Sequence, residues 1–267
     1  MIAFLPPWTG CCKASMKAVT PRQGRISYRV RHGTLIIDLK EMYRIISSAP
    51  RRGGIVRARS ILNHQVPANP SGHRPGTTKW SDPARYLGRL AVRVRARMPV
   101  IGLMTAVPMT QLIVDREQAG AIWLECFCTV GVTNAVRAGD PLMVTGCDVN
   151  PPGTINIILV TNATLSMPAL VGAVQVATES KTGILIEQRV RSTVRTSSLA
   201  TGTGTDAVVI ASSLKGIHRL PYSGTHTLLG AMIGRLVSRC VRKGLARSRR
   251  WSQPRSRTVH RARTSSR

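Results

Sequence analysis

TINIILVTNATLSMPALVGAVQVATESK, residues 154–181, is the part of the sequence from which the fold follows most directly. Residues 154–160 are apolar on both faces, which is typical of a strand buried inside a sheet. Ser166 then supplies an N-cap oxygen for a helix over about 167–181, and Pro168 is tolerated in its first turn. A buried strand that leads directly into a helix favours an architecture of helices packed on a sheet.

The remaining segments repeat these two patterns, with short β-branched runs between turns and a few stretches of helical period. We therefore predict an α/β (α+β) fold, a β-sheet of mostly buried aliphatic strands with packed helices. The predicted strands are 33–39, 42–47, 61–66, 100–106, 111–114, 121–130, 184–190 and 206–212, and the further helices are 83–97 and about 225–241.

The composition supports a substantial hydrophobic core. Of 267 residues, 43% are apolar, and the mean hydropathy is close to zero. These values exclude a wholly disordered, collagen-like or disulfide-scaffold chain. Because only ten residues are Phe, Trp or Tyr, the core must consist of aliphatic side chains and methionine.

Positive charge is concentrated at the two ends of the chain. Residues 1–100 carry 19 Lys and Arg against 3 Asp and Glu, residues 101–240 carry 10 against 8, and residues 241–267 carry 10 against none. Phosphate contacts need only such side chains, but the middle is nearly neutral and lacks interleaved aromatics for stacking. Nucleic-acid binding is thus expected only as non-specific binding by the tail.

The same distribution predicts three regions. Residues 1–33 form a poorly patterned N-terminal extension, residues 34–240 form the single main domain, and residues 241–267 form a disordered tail rich in Arg and Ser. Two uncharged runs, 98–114 and 154–178, are interrupted by Pro or by Asn, Ser and Thr, so we expect no membrane span.

The cysteines suggest neither zinc nor a disulfide framework. Among the six cysteines no Cys-x-x-Cys pair occurs, and the pairs Cys11–Cys12 and Cys126–Cys128 are poorly spaced for a bridge. We expect no metal site and a reducing, cytoplasmic setting.

Two candidate binding groups are asparagines near predicted strands. Asn134 lies in a Gly-flanked segment with Asp140 and suits an amide-bearing ligand, with Asp140 orienting a donor; a turn held by Asx hydrogen bonds is the alternative. Asn156 lies among aliphatic residues of the buried strand. Its amide needs partners, and either neighbouring backbone or a substrate can supply them.

A second pair of candidates lies at the end of the central helix. Glu179 and Lys181 are two residues apart, so they do not share one helical face. A carboxylate beside a pocket can activate water, and an ammonium group can lower the pKa of that carboxylate or stabilise an oxyanion. A solvated helix end is the alternative explanation.

The segment 200–207, ATGTGTDA, formally matches the dinucleotide pattern G-x-G-x-x-A. No strand precedes it, no helix follows it, and no acidic residue beyond Asp206 is present to bind a ribose. What remains is a nest of backbone N–H groups with the hydroxyls of Thr201, Thr203 and Thr205 beside Asp206, suited to an amide carbonyl or an oxyanion.

His226 follows in YSGTHT, residues 222–227. We predict that it lies in the first turn of the last helix, where the helix dipole disfavours the imidazolium. It would then be a neutral base or a hydrogen-bond partner, although a lone histidine is more often structural.

In this order and spacing, the segments resemble the adenosylcobinamide amidohydrolase family of corrinoid salvage. Weaker matches are SSAPRRGG (47–54), ILNHQV (61–66) and IGLMTA (101–106). The chain departs from the family pattern at Arg52, where Asn is usual, and at Ser180, where Ala is usual. The main matching stretches are GVTNAVRAGD (131–140), GTINIILV (153–160), ATESK (177–181), ATGTGTDAVVI (200–210) and YSGTHTLLG (222–230).

The resemblance implies hydrolysis of the amide that joins aminopropanol to the corrin of adenosylcobinamide, which yields adenosylcobyric acid. No metal-ligand set is visible in the sequence, so we expect no resident cofactor, and cobalt would arrive only within the corrinoid substrate. The alternative is a corrinoid-binding module that does not hydrolyse its ligand.

Our mechanistic hypothesis assigns the candidate residues to this reaction. Glu179 or His226 deprotonates water, and His226 or Lys181 returns a proton to the amine. The nest at 201–205 holds the oxyanion. The amide side chains of the corrin are held by Asn134, Asp140, Asn156 and Asp206.

Overall fold

The computed structural model describes residues 26–66, 82–141, 153–216 and 218–252, and sequence predictions for other residues lie outside this range. A short 3-10 turn covers Met109–Gln111. The strands are β1 (Ser27–Arg31), β2 (Thr34–Ser47), β3 (Gly54–Gln65), β4 (Val100–Thr105), β5 (Ile113–Ala119), β6 (Ile122–Val130), β7 (Ala135–Val136), β8 (Ile155–Thr161), β9 (Thr164–Leu165), β10 (Gly202–Thr203), β11 (Ala207–Ser213) and β12 (Arg219–Leu220), and the helices are α1 (Pro83–Arg93), α2 (Met167–Glu187) and α3 (Leu228–Ser252).

The main sheet has the order β4-β3-β2-β11-β8-β6-β5, and β1 pairs with β2. Between Asp38 and Tyr43 the register of β2 against β3 shifts, because Asp38 pairs with Ser60 whereas Tyr43 pairs with Ala58. This irregularity divides the sheet into two layers. The first layer holds β1, β4 and the adjoining halves of β2 and β3; the second holds the other half of β2 with β11, β8, β6 and β5.

The core between the two layers is aliphatic. Ile37 and Leu103 of the first layer belong to the same buried cluster as Phe127, Ile158 and Val209 of the second layer. On the outer side of the first layer, α1 buries Leu87 and Leu90. On the outer side of the second layer, α2 and α3 cover the sheet. The α/β fold class predicted from the sequence is confirmed.

The helix α2 begins as the sequence predicts but ends later. Ser166 accepts a hydrogen bond from the backbone N–H of Ala169, which caps the first turn. The helix then continues to Glu187, so the strand predicted at 184–190 is wrong. Ile184 and Leu185 are β-branched or aliphatic like strand residues, but they follow Lys181 by three and four positions and extend the buried face of the helix.

Both ends of the described chain are more ordered than their composition suggests. β1 lies inside the predicted N-terminal extension and joins β2 through a two-residue turn at His32 and Gly33, both with positive φ. At the other end, residues 241–252 of the predicted tail are helical in α3. Buried Val241 and Leu245 pack on the second layer and explain this continuation.

None of the helices in the described residues combines the length and apolarity that crossing a bilayer would take.

Candidate active site

Polar side chains gather at one edge of the layers, here called the polar edge. β8 and β11 run parallel and both begin there, whereas β6 ends there, since Asn156 pairs with Ala207 on one side and with Thr129 on the other. β3 also ends at this edge, where the Asn63 side chain contacts Asn156. The opposite edge is where β8 and β11 end.

A buried ion pair lies at the polar edge. Lys181 reaches from α2 towards the start of β11, and its Nζ is 2.6 Å from Oδ2 of Asp206. The two side chains are only 8% and 14% exposed. A charged pair shielded from water to this degree is held by short-range electrostatics that salt screens weakly.

Backbone and hydroxyl groups complete the environment of the Asp206 carboxylate. Oδ1 accepts a hydrogen bond from the N–H of Ile155 at 2.9 Å and from Oγ1 of Thr203 at 2.5 Å. Oδ2 accepts from the N–H of Thr203 at 3.1 Å in addition to Lys181. The carboxylate therefore uses about four acceptor positions, which is its ordinary capacity. The predicted nest thus binds the protein's own carboxylate.

Gly202 allows the ion pair to form at this distance. A β-carbon at position 202 would lie 2.6 Å from Oδ2 of Asp206 and 2.9 Å from Nζ of Lys181. Any side chain there would press on both charged groups. This close approach gives a physical reason for glycine in the T-G-T-G-T segment.

The other two threonines of the segment hold the loop in place. Thr201 accepts a hydrogen bond from the N–H of Ala138 through Oγ1 at 2.8 Å, and its carbonyl accepts one from Oγ1 of Thr182 at 2.8 Å. Thr205 is exposed, and its Oγ1 donates to the carbonyl of Gly153 at 3.1 Å. The loop is thus tied to α2, to β7 and to the residues before β8.

A buried amide network extends the polar edge between the layers. Nδ2 of Asn156 donates to Oδ1 of Asn63 at 3.0 Å and to the carbonyl of Met104 at 2.8 Å. Nδ2 of Asn63 donates to Oγ1 of Thr129 at 3.2 Å. Oγ1 of Thr154 donates to the carbonyl of Thr205 at 2.8 Å and lies 3.2 Å from Oδ1 of Asn156. The amide of Asn156 was predicted to need partners from the protein or from a substrate, and in the structure protein atoms are its partners.

Asn134 contributes an unused acceptor. Its Oδ1 is buried and has no hydrogen-bond partner among the described residues. A β-carbon at Gly153 would lie 2.5 Å from this oxygen, so Asn134 lies directly against the backbone that precedes β8. Leaving a buried acceptor unpaired costs about 1 to 3 kcal/mol, and such an atom needs an explanation.

Asp140 lies in a turn whose Ala138 is bonded to Thr201, and its own contacts do not include Lys181 or Asp206. Its Oδ2 accepts from Oγ of Ser192 at 2.6 Å and from the N–H of Arg137 at 3.1 Å. The hydrogen bond from Ser192 is the main reason that the pKa of Asp140 is lowered. Asp140 therefore fits the alternative prediction, a turn held by the hydrogen bonds of its side chain.

Glu179 also lies apart. It is exposed, and its Oε1 accepts a hydrogen bond from Nε2 of Gln175 at 2.9 Å. Lys181, two residues later, is 6% exposed and faces the sheet. The spacing of the two residues separates them as predicted, but it also keeps the carboxylate of Glu179 on the solvent side of α2.

His226 is exposed at the opposite edge. α3 begins at Leu228, so the prediction that His226 lies in its first turn is wrong; Thr227 provides the oxygen that accepts from the N–H of Gly230. Oγ of Ser223 donates to the carbonyl of Ala169, which fixes this segment beside the start of α2. The seven residues of β8 separate the edges by roughly 20 Å.

The sequence of this chain matches the adenosylcobinamide amidohydrolase family over residues 17–253. The chain belongs to this family. The match includes every described residue of the polar edge, and the resemblance noted from the sequence motifs is confirmed.

Two other proteins are similar to this chain over most of its length. An adenosylcobinamide amidohydrolase of Methanosarcina mazei is 31% identical over 230 residues, which cover 82% of this chain and 98% of that protein. An uncharacterised protein of Methanocaldococcus jannaschii is 32% identical over 229 residues, covering 79% of this chain and 85% of that protein.

Two solved structures show a distant likeness. A protein from Pyrococcus horikoshii aligns with 82% of this chain and 78% of its own at 13% identity and a TM-score of 0.40. A beta-aminopeptidase from Burkholderia sp. aligns with 81% of this chain and 79% of its own at 12% identity and a TM-score of 0.35.

Sequence reasoning missed three residues of this family member's polar edge. Asn63, Thr129 and Thr154 join the buried network, and all three are at most 4% exposed. A polar residue within an aliphatic strand is the signal that identified Asn156, and it applies equally to Asn63 in SILNHQ and Thr129 in CFCTV. The pairing of the strands was needed to bring them together.

Two further features concern metal ligands and thiols in the described residues. No group of three or more His, Cys, Asp or Glu side chains there is arranged to hold a metal ion. Cys126, Cys128 and Cys240 are buried free thiols between β6 and α3. Burial raises the pKa of Cys128 well above its usual value, which makes the thiolate unfavourable.

Proposed function

We propose that this protein hydrolyses the amide bond between aminopropanol and the corrin ring of adenosylcobinamide, releasing adenosylcobyric acid for renewed cobamide assembly. Membership of the family and the name of the Methanosarcina mazei relative support this substrate. The structural observation that carries the proposal is the buried Lys181–Asp206 pair within the family-matching segments at the polar edge.

Lys181 is the electrophilic group in this proposal. The oxygen of water adds to the carbonyl carbon, and negative charge develops on the amide oxygen. The C–N bond then breaks as the proton lost by the water passes to the amine nitrogen, which leaves a carboxyl group on the corrin and free aminopropanol. An ammonium group fixed in a water-poor site stabilises such charge far better than one in bulk water. Asp206 is a positioning residue, because its acceptor positions hold Lys181, Thr203 and the start of β8.

Asn134 is the group that contacts the substrate amide. Its unpaired Oδ1 suits the N–H of a secondary amide or of a corrin carboxamide. Gly204 is exposed, and a β-carbon there would lie 3.8 Å from Nδ2 of Asn134, so the amide of Asn134 lies close to an exposed part of the loop. Asn156 positions Thr154 and Asn63, since its own amide atoms already have protein partners.

The proposal does not use Glu179, Asp140 or His226 in the chemical step. None of them has a hydrogen bond or ion pair to Lys181 or Asp206 among the described contacts, and their assignment rested on the chemistry of their side chains. No resident metal is invoked, and the cobalt belongs to the substrate. We therefore expect treatment with EDTA to leave turnover unchanged. The buried free thiols support a reducing, cytoplasmic setting.

The direct test is incubation of the full chain with adenosylcobinamide, with mass detection of both adenosylcobyric acid and aminopropanol. We expect equal amounts of the two products, and their formation to require the intact protein. Binding of adenosylcobinamide without either product would contradict the proposal and support the corrinoid-binding module instead. If the protein neither binds adenosylcobinamide nor forms a product from it, the corrinoid assignment for this chain is wrong.

A further inference from the structure

A cavity on the outer side of the first layer lies beside α1. Tyr86, Arg89, Leu90 and Arg93 line it, and its volume is about 420 Å³. These residues are spaced by three, four and seven positions, so they share one face of the helix. Leu90 is buried against the first layer, whereas both guanidinium groups are exposed.

The two arginines of this cavity have no acidic partner among the described residues. Other arginines nearby do: Arg85 lies 3.7 Å from Asp82, and Arg97 lies 3.3 Å from Asp38. Arg89 and Arg93 are one helical turn apart, about 6 Å along the axis. Two unpaired guanidinium groups at this separation create a local positive potential over the cavity.

β1 adds positive charge on the same side of the layer. Arg29 pairs in register with Ile36, and Arg31 pairs with Thr34. Ile36 packs in the cluster beneath α1, and directly paired residues of antiparallel strands point to the same face. Arg29 also donates to the carbonyl of Val94 at the end of α1 at 3.2 Å. Arg29 and Arg31 therefore add positive charge on the face of the first layer that α1 covers, and the cavity on that face is here called the groove.

A buried polar group closes one end of this groove. The hydroxyl of Tyr86 is 2.9 Å from Nε2 of His64, and Nδ1 of His64 is 2.8 Å from Oγ1 of Thr34. His64 is 7% exposed. Burial and the charge of Arg93 lower the pKa of His64, so the positive potential of the groove reaches this imidazole. The ring orients the tyrosine hydroxyl at the cavity wall.

The carboxylate nearest to this groove along β2 is already engaged. Asp38 has the same strand parity as Thr34 and Ile36, but its Oδ1 accepts from Nη1 of Arg97, and Lys40 lies 3.6 Å from its Oδ2. It does not neutralise Arg89 or Arg93. An anion from solution is the natural partner for such a groove.

We propose that the groove beside α1 binds a small phosphate-bearing anion through the guanidinium groups of Arg89 and Arg93 and the hydroxyl of Tyr86. Guanidinium groups donate two parallel hydrogen bonds to phosphate oxygens, which an ammonium group does not. The volume is in the range of small-molecule sites. Tyr86 is the one aromatic in the described lining, so the groove lacks the stacking platform that single-stranded nucleic acid needs.

The test uses pyrophosphate as the probe and isothermal titration calorimetry on the full chain at constant ionic strength. We expect saturable binding of pyrophosphate, and a loss of affinity of about tenfold or more in the Arg89→Gln/Arg93→Gln variant, because two charge-assisted contacts disappear. Tyr86→Phe should weaken binding by a smaller factor. Circular dichroism shows whether each variant remains folded.

The matched control is Arg44→Gln/Arg57→Gln. It removes the same charge from register-paired positions of β2 and β3 outside the groove. Pyrophosphate affinity should change by less than about twofold, as for surface substitutions in general. Equal losses in the two double variants would overturn the site, because net charge alone would explain them. Binding of an oligonucleotide but not pyrophosphate, or binding of neither, would also overturn it.

This site shares no residue with the hydrolysis proposed above, since neither Lys181 nor Asp206 lines the cavity. If the protein hydrolyses adenosylcobinamide but does not bind pyrophosphate, the anion site is refuted and the proposed function is not.

Discussion

The polar edge and the opposite edge of the second layer look alike in the sequence but differ in the structure. Each contains a motif of small and hydroxyl residues, T-G-T-G-T-D at one and Y-S-G-T-H-T at the other. At the polar edge, Lys181 and Asp206 are directed inwards and hydrogen-bonded. At the opposite edge, Tyr222 and His226 are exposed before the start of α3.

The difference shows what a motif needs before it can hold a charged pair inside the fold. At the polar edge, two parallel strands begin side by side, and α2 returns across the layer to bring Lys181 above them. The backbone N–H groups there hold a carboxylate, and the carboxylate holds an ammonium group. The opposite edge has a hydrogen-bonded turn that begins a helix.

The largest expected difference between the edges is in stability. Lys181→Met leaves Asp206 as a buried charge without its cation, and removal of one partner of a buried pair costs about 3 to 5 kcal/mol. His226→Gln should change the free energy of unfolding by less than about 0.5 kcal/mol, because the side chain is exposed. Urea denaturation of both variants measures the contrast. Equal small losses would mean that the ion pair is not buried in solution.

The amide network should give the next largest effect. Asn156→Ala leaves Oδ1 of Asn63 and the carbonyl of Met104 without their donor, which costs about 1 to 3 kcal/mol. Thr225→Ala, an exposed hydroxyl at the opposite edge, is the control and should be nearly neutral. Thermal unfolding followed by circular dichroism suffices. A neutral Asn156→Ala would show that water replaces the lost donor.

Two glycines provide a matched pair for steric effects. Gly202→Ala puts a methyl group against Asp206 and Lys181, and crowding of this kind costs about 1 to 3 kcal/mol. At Gly224 a β-carbon meets nothing within 4 Å. Gly224→Ala should therefore be tolerated, and only Gly202→Ala should reduce both stability and turnover. If Gly224→Ala reduced stability and turnover more than Gly202→Ala, the close approach of Gly202 to Asp206 and Lys181 would be contradicted.

The smallest expected effect tests the residues left outside the cluster. Glu179→Gln and His226→Gln should each retain kcat/KM within about twofold of the unmodified protein, as for surface side chains away from a site. Release of aminopropanol measures this. A large fall in kcat for a folded Glu179→Gln or His226→Gln variant would return that residue to the mechanism.

Much of the fold could be predicted because it depends on local pattern. The buried strand at β8 and the cap at Ser166 follow from residue type and spacing. The end of α2 could not be predicted in this way, because Ile184 and Leu185 suit a strand and a buried helical face equally well. The packing of that face against the sheet decides between the two structures.

The site was predictable only in part for the same reason. The Gly and Thr residues around Asp206 form a nest from residues that are adjacent in the sequence, so the sequence pattern alone could predict it. The partner of Asp206 is Lys181, 25 residues earlier, and nothing in the spacing pairs them. Glu179 and Lys181 are neighbours in sequence, yet the helical turn points one outwards and the other inwards.

We infer that the Lys181–Asp206 pair acts in hydrolysis through its charge and not through its contribution to folding. The double variant Lys181→Met/Asp206→Asn separates these roles, because it removes both buried charges together. We predict that it loses less stability in urea than Lys181→Met alone, because no unpaired charge stays buried, although the amide leaves one of the N–H groups of Ile155 and Thr203 without its acceptor. Its release of aminopropanol from adenosylcobinamide should fall by about a hundredfold or more. A folded double variant that retains most of the turnover would contradict the account.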